Sequence, residues 1–168
     1  AIDPPLPARA TVGGTLATMA SGPLRWQYGH PRDLVIGLKV VQADGTSTKS
    51  GGQVVKNVSG YDMARLHIGA LGTLGVITEV SFKLTPMPRQ QTTVLAGFNS
   101  IESSIEAALA VFHSHVVPLA LTAFDDQANH RGRLTVMSEK ALLAVRLGGR
   151  PRTLERQVRE CVTLSKDQ

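Results

Sequence analysis

Apolar and polar positions follow one rhythm up to about residue 85 and another beyond it. Residues 34–41 are aliphatic and β-branched and run into Asp44-Gly45, a tight-turn dipeptide, so a strand, a turn and a returning strand over 46–49 are predicted. Val76, Thr78, Val80, Phe82 and Leu84 alternate with Ile77, Glu79, Ser81 and Lys83. Such alternation predicts a strand covered on its first face. Between these strands, Ser59-Gly60-Tyr61-Asp62 sets a hydroxyl and an acid three residues apart, a capping-box pattern, and the short helix it begins is expected to stop near Gly69.

Pro86-Met87-Pro88 interrupts any regular element and marks a boundary, giving units of 1–88 and 89–168. In the second unit, residues 92–98 read as a strand. Asn99, with Glu102 three residues on, then resembles the cap of a helix whose apolar positions are Ile101, Ile105, Ala108, Leu109 and Phe112. Residues 118–124 and 141–147 read as strands, and Leu154, Val158, Cys161, Val162 and Ser165 mark one face of a final helix. The order β-α-β-β-α is that of a ferredoxin-like split β-α-β unit lacking its last strand, so the fold class is α+β.

A chain of 168 residues with 42% hydrophobic residues can bury a core, and it contains no apolar run long enough to span a membrane. The first residues show no basic stretch leading into an apolar one, so no signal peptide is read there. Cys161, the one cysteine, excludes an internal disulfide and a cysteine metal cluster; a reducing, cytoplasmic setting and a buried helix position are expected for it. The net charge of +5 owes much to Arg131, Arg133, Arg146, Arg150, Arg152, Arg156 and Arg159. With aromatic residues at only 4%, stacking partners for bases are scarce and no nucleic-acid partner is expected.

The chemistry concentrates in glycine-punctuated stretches. Thr11-Val12-Gly13-Gly14 and Thr18-Met19-Ala20-Ser21-Gly22 lie upstream, and Gly51-Gly52-Gln53-Val54-Val55-Lys56-Asn57-Val58-Ser59-Gly60-Tyr61-Asp62 and Gly72-Thr73-Leu74-Gly75-Val76-Ile77 downstream. Glycine lets a main chain approach a ligand without a Cβ in the way. A flavin dinucleotide needs that approach, since its pyrophosphate takes backbone N–H donors and its ring system a flat apolar wall. Read in order, with Tyr28-Gly29, Arg32-Asp33 and Asp44-Gly45 between them, these motifs resemble the second half of the FAD-binding domain of PCMH-type flavoproteins of the vanillyl-alcohol-oxidase class. The run from Gly51 to Asp62 is similar to the FAD-binding subunit of bacterial glycolate oxidase.

That resemblance implies a second FAD-binding subdomain over 1–88, its N-terminal pyrophosphate-loop subdomain lacking, and part of a ferredoxin-like α+β cap over 89–168. It implies FAD as cofactor, lined by Pro5, Thr11, Val12, Gly13 and Gly14, by Thr18, Ala20, Ser21 and Gly22, and by Gly72, Thr73, Gly75, Val76 and Ile77. The implied reaction is oxidation of a 2-hydroxy acid such as glycolate to its 2-oxo acid by hydride transfer to flavin N5. Flavoprotein and iron–sulfur partner subunits and a cytoplasmic site, peripheral to the inner membrane through those partners, go with it. Many relatives carry Glu before the Gly-Thr-Leu-Gly motif, where this chain has Leu71. No phosphate loop precedes residue 11, so an internal fragment or truncated product is expected, and a flavin-free scaffold that binds a catalytic partner is the alternative reading.

Other polar groups read as structural. His30 is expected to be exposed before its proline, Arg32 and Asp33 can pair within their loop, and Tyr28 and Tyr61 pack. Lys56 is balanced between a charge near reduced flavin and a surface lysine. His113 and His115 diverge at a helix end, and Asp125, Asp126 and His130 lie on a polar loop, so no metal site is read. No catalytic residue is assigned.

Overall fold

The computed structural model describes residues 2–52, 62–128 and 140–166. The chain divides into two compact units, Ala1–Pro86 and Met87–Gln168.

In the first unit the elements are α1 (Val12–Thr18), α2 (Arg25–Tyr28), α3 (Pro31–Leu34), β1 (Val35–Val41), β2 (Ser47–Gly51), α4 (Ala64–His67) and β3 (Val76–Phe82). The antiparallel sheet has the order β2-β1-β3. The β1–β2 turn closes because Gly45 adopts φ 83° and the Asp44 carboxylate accepts the Thr46 N–H at 2.8 Å. That bond holds the Asp44 carboxyl below its ordinary value of 3.8. Leu16 of α1 and Ala64 of α4, with Ile68, pack on Leu38 and Val40, and Met19, Val35, Ile77, Val80 and Phe82 complete the cluster.

The strict alternation expected of β3 is broken. Lys39 pairs with Glu79 but Val40 pairs with Ile77, leaving Thr78 as an extra residue; Val35 pairs with Phe82 and Gly37 with Ser81, leaving Ile36 extra on β1. Each bulge reverses the facing of what lies beyond it. Hence Ile77 enters the core while Val76 is 67% exposed, the opposite of the sequence pattern. Leu84, expected on the covered face, lies beyond the strand and is exposed. Of the expected capping box, Ser59, Gly60 and Tyr61 lie outside the described residues. Helix α4 itself starts after Met63, which makes no side-chain cap bond, and Asp62 accepts from Arg65 Nε at 2.8 Å.

The second unit contains β4 (Gln90–Phe98), α5 (Ile101–Phe112), β5 (Ala120–Asp125), β6 (Ala141–Gly149) and α6 (Pro151–Lys166). Its antiparallel sheet has the order β4-β6-β5. Leu143, Val145 and Leu147 of the central strand, with Phe98, pack against Ala107 and Val111 of α5 and Leu154 and Cys161 of α6. Burial pushes the Cys161 thiol up, so it stays protonated.

The cap of α5 is Ser100, whose Oγ accepts the Ser103 N–H at 3.2 Å, and Asn99 stands one residue too early. The buried stripe of α5 is Ser104, Ala107 and Val111, whereas Ile105, Leu109 and Phe112 are about half exposed. Side-chain size misled the sequence reading here: the close helix–sheet packing takes the small residues. Ser104 Oγ is buried with no hydrogen-bond partner among the described residues. On α6, Gln157 is 3% exposed and its Oε1 accepts the Val117 N–H at 2.9 Å, fastening the α5–β5 connection to the last helix. Gln157→Leu leaves that N–H unpaired and is expected to cost about 1–3 kcal/mol in urea unfolding.

Candidate cofactor-binding site

Two glycine-rich segments, more than fifty residues apart in sequence, meet on the first unit. Thr11 caps α1 by accepting the Gly14 N–H at 3.0 Å, and its carbonyl accepts the Thr15 N–H at 2.9 Å. At its other end α1 stops at Met19, in the left-handed region at φ 51°. So short a helix leaves most of its carbonyls without internal partners. The second segment serves two of them: Gly69 donates its N–H to Leu16 O at 2.9 Å and Leu71 to Ala17 O at 2.8 Å. Closer to β3, a Cβ built on Gly13 would lie 3.6 Å from Ile77 O, in ordinary contact.

The junction carries apolar side chains outward. Val12 is 54% exposed, Leu71 71%, Leu74 44% and Val76 67%, where a solvated loop would favour polar residues. Leu71 also adopts φ 55°, a left-handed conformation unusual for a residue with a γ-branched side chain. Gly72, at φ 77° and exposed, has no described residue within 4 Å of where a Cβ would stand, so its backbone is uncovered on that side. Gly75 has the opposite surroundings: at φ 146°, a Cβ there would lie 2.6 Å from Val41 O. One glycine bares the backbone, the other lets β3 close on β1.

The hydroxyls near this junction hold the local backbone. Thr18 Oγ1 donates to Gly14 O at 2.8 Å and Thr73 Oγ1 to Ala70 O at 2.7 Å. Ala20 N–H donates to Thr15 O at 3.0 Å, continuing the end of α1. Ser21 Oγ stands 3.4 Å from His30 Nδ1, and Gly22 N–H donates to the Asp3 carbonyl. Pro5 is exposed in the bend that follows Asp3. The structure therefore joins Thr11, Val12, Gly13, Gly14 and Thr18 to the loop bearing Gly72, Thr73, Gly75, Val76 and Ile77. Ala20, Ser21 and Gly22 continue from it toward Asp3 and His30.

Sequence reasoning missed four residues at this junction and its flank. Asp3 ties the N-terminal segment down, since its Oδ2 also accepts the Leu24 N–H at 3.1 Å; no local pattern announces a bond spanning 21 residues. His30, expected to be simply exposed, caps α3 and is half-buried beside Ser21, while its own N–H donates to Asp33 Oδ2 at 2.9 Å. The cue was the His-Pro-Arg-Asp spacing, which puts an acid at the third position of a Pro-initiated helix. Leu71 was noted only as standing where many relatives carry Glu, and Leu74 was given no role of its own, although a leucine flanked by turn residues is the kind of apolar group a loop exposes.

Asp33 also lies 3.8 Å from Arg32, the expected pair. Lys56, Tyr61 and His130 lie outside the described residues. His113 and His115 are exposed, and no metal-binding cluster occurs among the described residues. No helix among them is long and apolar enough to cross a membrane.

Thr11→Val keeps the side-chain volume but removes the cap, and is expected to cost roughly 0.5–2 kcal/mol of first-unit stability. A thermal melt with no shift would show that the loop from Gly69 to Leu71 holds α1 unaided.

A bare peptide, a surrounding apolar surface and engaged hydroxyls are what one wall of a flavin dinucleotide site requires, and the residues present fit that group. Residues 1–61 match the family model described as "FAD binding domain". The chain carries a PCMH-type FAD-binding domain homologous to glycolate-oxidase-like FAD subunits and related oxidoreductases, and FAD is the cofactor of that domain.

Among its relatives, glycolate oxidase subunit GlcD of Bacillus subtilis is 32% identical over 98% of this chain and 36% of the relative. Glycolate oxidase subunit GlcE of Escherichia coli is 36% identical over 71% of this chain and 33% of the relative. A D-lactate dehydrogenase of Archaeoglobus fulgidus is 37% identical over 74% of this chain and 28% of the relative. The chain thus spans about a third or less of these relatives. A solved alkyldihydroxyacetonephosphate synthase superposes with a TM-score of 0.74 at 18% identity, covering 99% of this chain and 34% of that one. The α+β fold is related to that of the PCMH-type FAD-binding superfamily.

Proposed function

We propose that this chain forms one side of the FAD site of an oxidoreductase that converts a 2-hydroxy acid to its 2-oxo acid, acting with partner subunits. FAD, when bound, supplies the hydride acceptor at N5. The chain's residues bind and orient it. The open peptide at Gly72 and the turn from Thr11 to Gly14 approach its polar part, and Val12, Leu71, Leu74 and Val76 keep water from its ring system. Thr18, Ala20, Ser21, Gly22 and Pro5 extend the same wall, with Thr73, Gly75 and Ile77 on the β3 side. In this reading, residues 1–88 are the second subdomain of the FAD-binding domain and 89–168 part of the cap.

The observation that carries the reading is the junction itself: α1 is terminated by N–H groups from the loop that bears the second glycine motif, and exposed apolar side chains gather there. Glycolate and D-lactate, after which the relatives are named, are both 2-hydroxy acids, and their shared chemistry sets the substrate class. Partner subunits follow from the likeness to proteins that are themselves named as subunits. The full-length protein carrying this chain is expected to purify with flavin absorbance that bleaches anaerobically on adding glycolate or D-lactate. A colourless protein that takes up no FAD sinks the reading and leaves the flavin-free scaffold.

A further inference from the structure

The two flanks of α5 differ in character. Beside its buried stripe of Ser104, Ala107 and Val111 lie Ser103 and Ala110 on one side, small and half-buried. On the other side lie Ile105, Leu109 and Phe112, large, apolar and about half exposed. Helix α5 packs against α6, so the small-residue flank is the one that closes on α6 and the apolar flank faces away from it. Because α6 packs on β4 and β6 and α5 chiefly on β5 and β6, in a sheet of order β4-β6-β5, the apolar flank overhangs the outer edge of β5.

That edge is itself unpaired among the described residues, since β5 bonds β6 on one side and no described strand on the other. Six residues of strand and twelve of helix each span about 20 Å, so the unpaired edge and the apolar flank run alongside one another. The exposed face of α6 carries Arg152, Glu155, Arg156 and Arg159 instead, as a solvated helix does. An apolar flank above an open strand edge marks an interface.

What covers it must bring a strand and an apolar helix flank in the same relative position, and a second copy of this unit has both. A two-fold axis perpendicular to the sheet would set the two β5 strands antiparallel and the two α5 helices antiparallel on one face, with their apolar flanks together. The charges agree with that reversal. Glu102 lies in the first turn of α5 and Glu106 one turn on, while His113 and His115 follow its last turn, and all four are exposed. Each copy's acidic end therefore meets the other's imidazole end, and the helix dipoles run opposed. Asp125, the one charge on β5, stands at the strand's end, away from its symmetry mate, and its Oδ1 already accepts the Ala128 N–H at 2.7 Å.

We propose that the second unit is a self-association module: two copies join edge to edge through β5 into a six-stranded sheet of order β4-β6-β5-β5-β6-β4, burying Ile105, Leu109 and Phe112 of both α5 helices. Such a contact is self-complementary and closed, so it stops at the dimer.

Sedimentation equilibrium of the full-length protein carrying this chain is expected to show a concentration-dependent dimer. Leu109→Glu, at a position outside the buried core, is expected to weaken it at least about tenfold, while Thr163→Glu on the exposed face of α6 leaves it unchanged. Residue-resolved amide exchange reads the same contact without a substitution. As the protein is diluted from dimer to monomer, every second β5 amide is expected to lose protection while β6 amides keep theirs. A protein that stays monomeric overturns the proposal, as does a dimer that Leu109→Glu leaves intact or that Thr163→Glu weakens equally. So does β5 protection that is the same in monomer and dimer, which would put another segment of the same polypeptide on that edge.

Discussion

Gly75→Ala is expected to remove bound flavin from the full-length protein and to loosen the first unit. A residue with a Cβ at φ 146° bears a backbone cost of roughly 1–3 kcal/mol. The Cβ also cannot be accommodated by a side-chain adjustment alone, because besides the Val40 side chain at 2.7 Å it meets the Val41 carbonyl at 2.6 Å, which belongs to the sheet. Either β3 moves off β1 or the loop before it shifts, and both displace the N–H groups that terminate α1. Gly72→Ala is the comparison: φ 77° imposes the backbone cost, yet no atom stands within 4 Å of the new methyl group. In urea unfolding both variants lose stability, Gly75→Ala the more. Equal flavin retention by wild type and Gly75→Ala would show that the junction does not hold the cofactor.

Leu143→Ala is expected to cost about 2–5 kcal/mol, enough to take much of the stability of a small domain. The side chain is fully buried on the central strand, and its strand partners on both sides, Ala96 and Ala123, are too small to fill the space it leaves. Ala107 above it is equally small, so collapse around the cavity is limited. Denaturant unfolding followed by a second-unit probe should show the midpoint move while the first-unit hairpin is retained to higher denaturant. An unchanged midpoint would mean that the cluster repacks, contrary to its composition.

Much of the element order was legible because short-range chemistry wrote it. Asp44-Gly45 makes the hairpin through one carboxylate bond and one positive φ, both local. The strands of the second unit and its last helix could likewise be read from apolar runs. What misled was tertiary. The sequence puts Ile101, Ile105, Ala108, Leu109 and Phe112 on the apolar stripe of α5, and Ile101 and Ala108 do pack against the core, but the fully buried positions are Ser104, Ala107 and Val111, with Ile105, Leu109 and Phe112 about half exposed. Val76 looked like a core residue until the bulge at Thr78 intervened. For the candidate site, motif glycines pointed to the two segments that meet at the junction. That the second segment caps the helix begun by the first depends on bonds such as Leu71 N–H to Ala17 O, which no spacing within either motif encodes.

The two bulges in the first sheet have a consequence for how this chain can change length. Thr78 is surplus on β3 and Ile36 is surplus on β1, so they offset each other, and only the short stretch between them is out of step with its flanks. Losing one residue at either place would slide one strand past the other and exchange its inward and outward side chains. Losing both at once would straighten the ladder without disturbing the ends. Insertions and deletions at positions 36 and 78 should therefore be inherited as matched pairs, so that the two strands keep a common length as the sequence around them drifts.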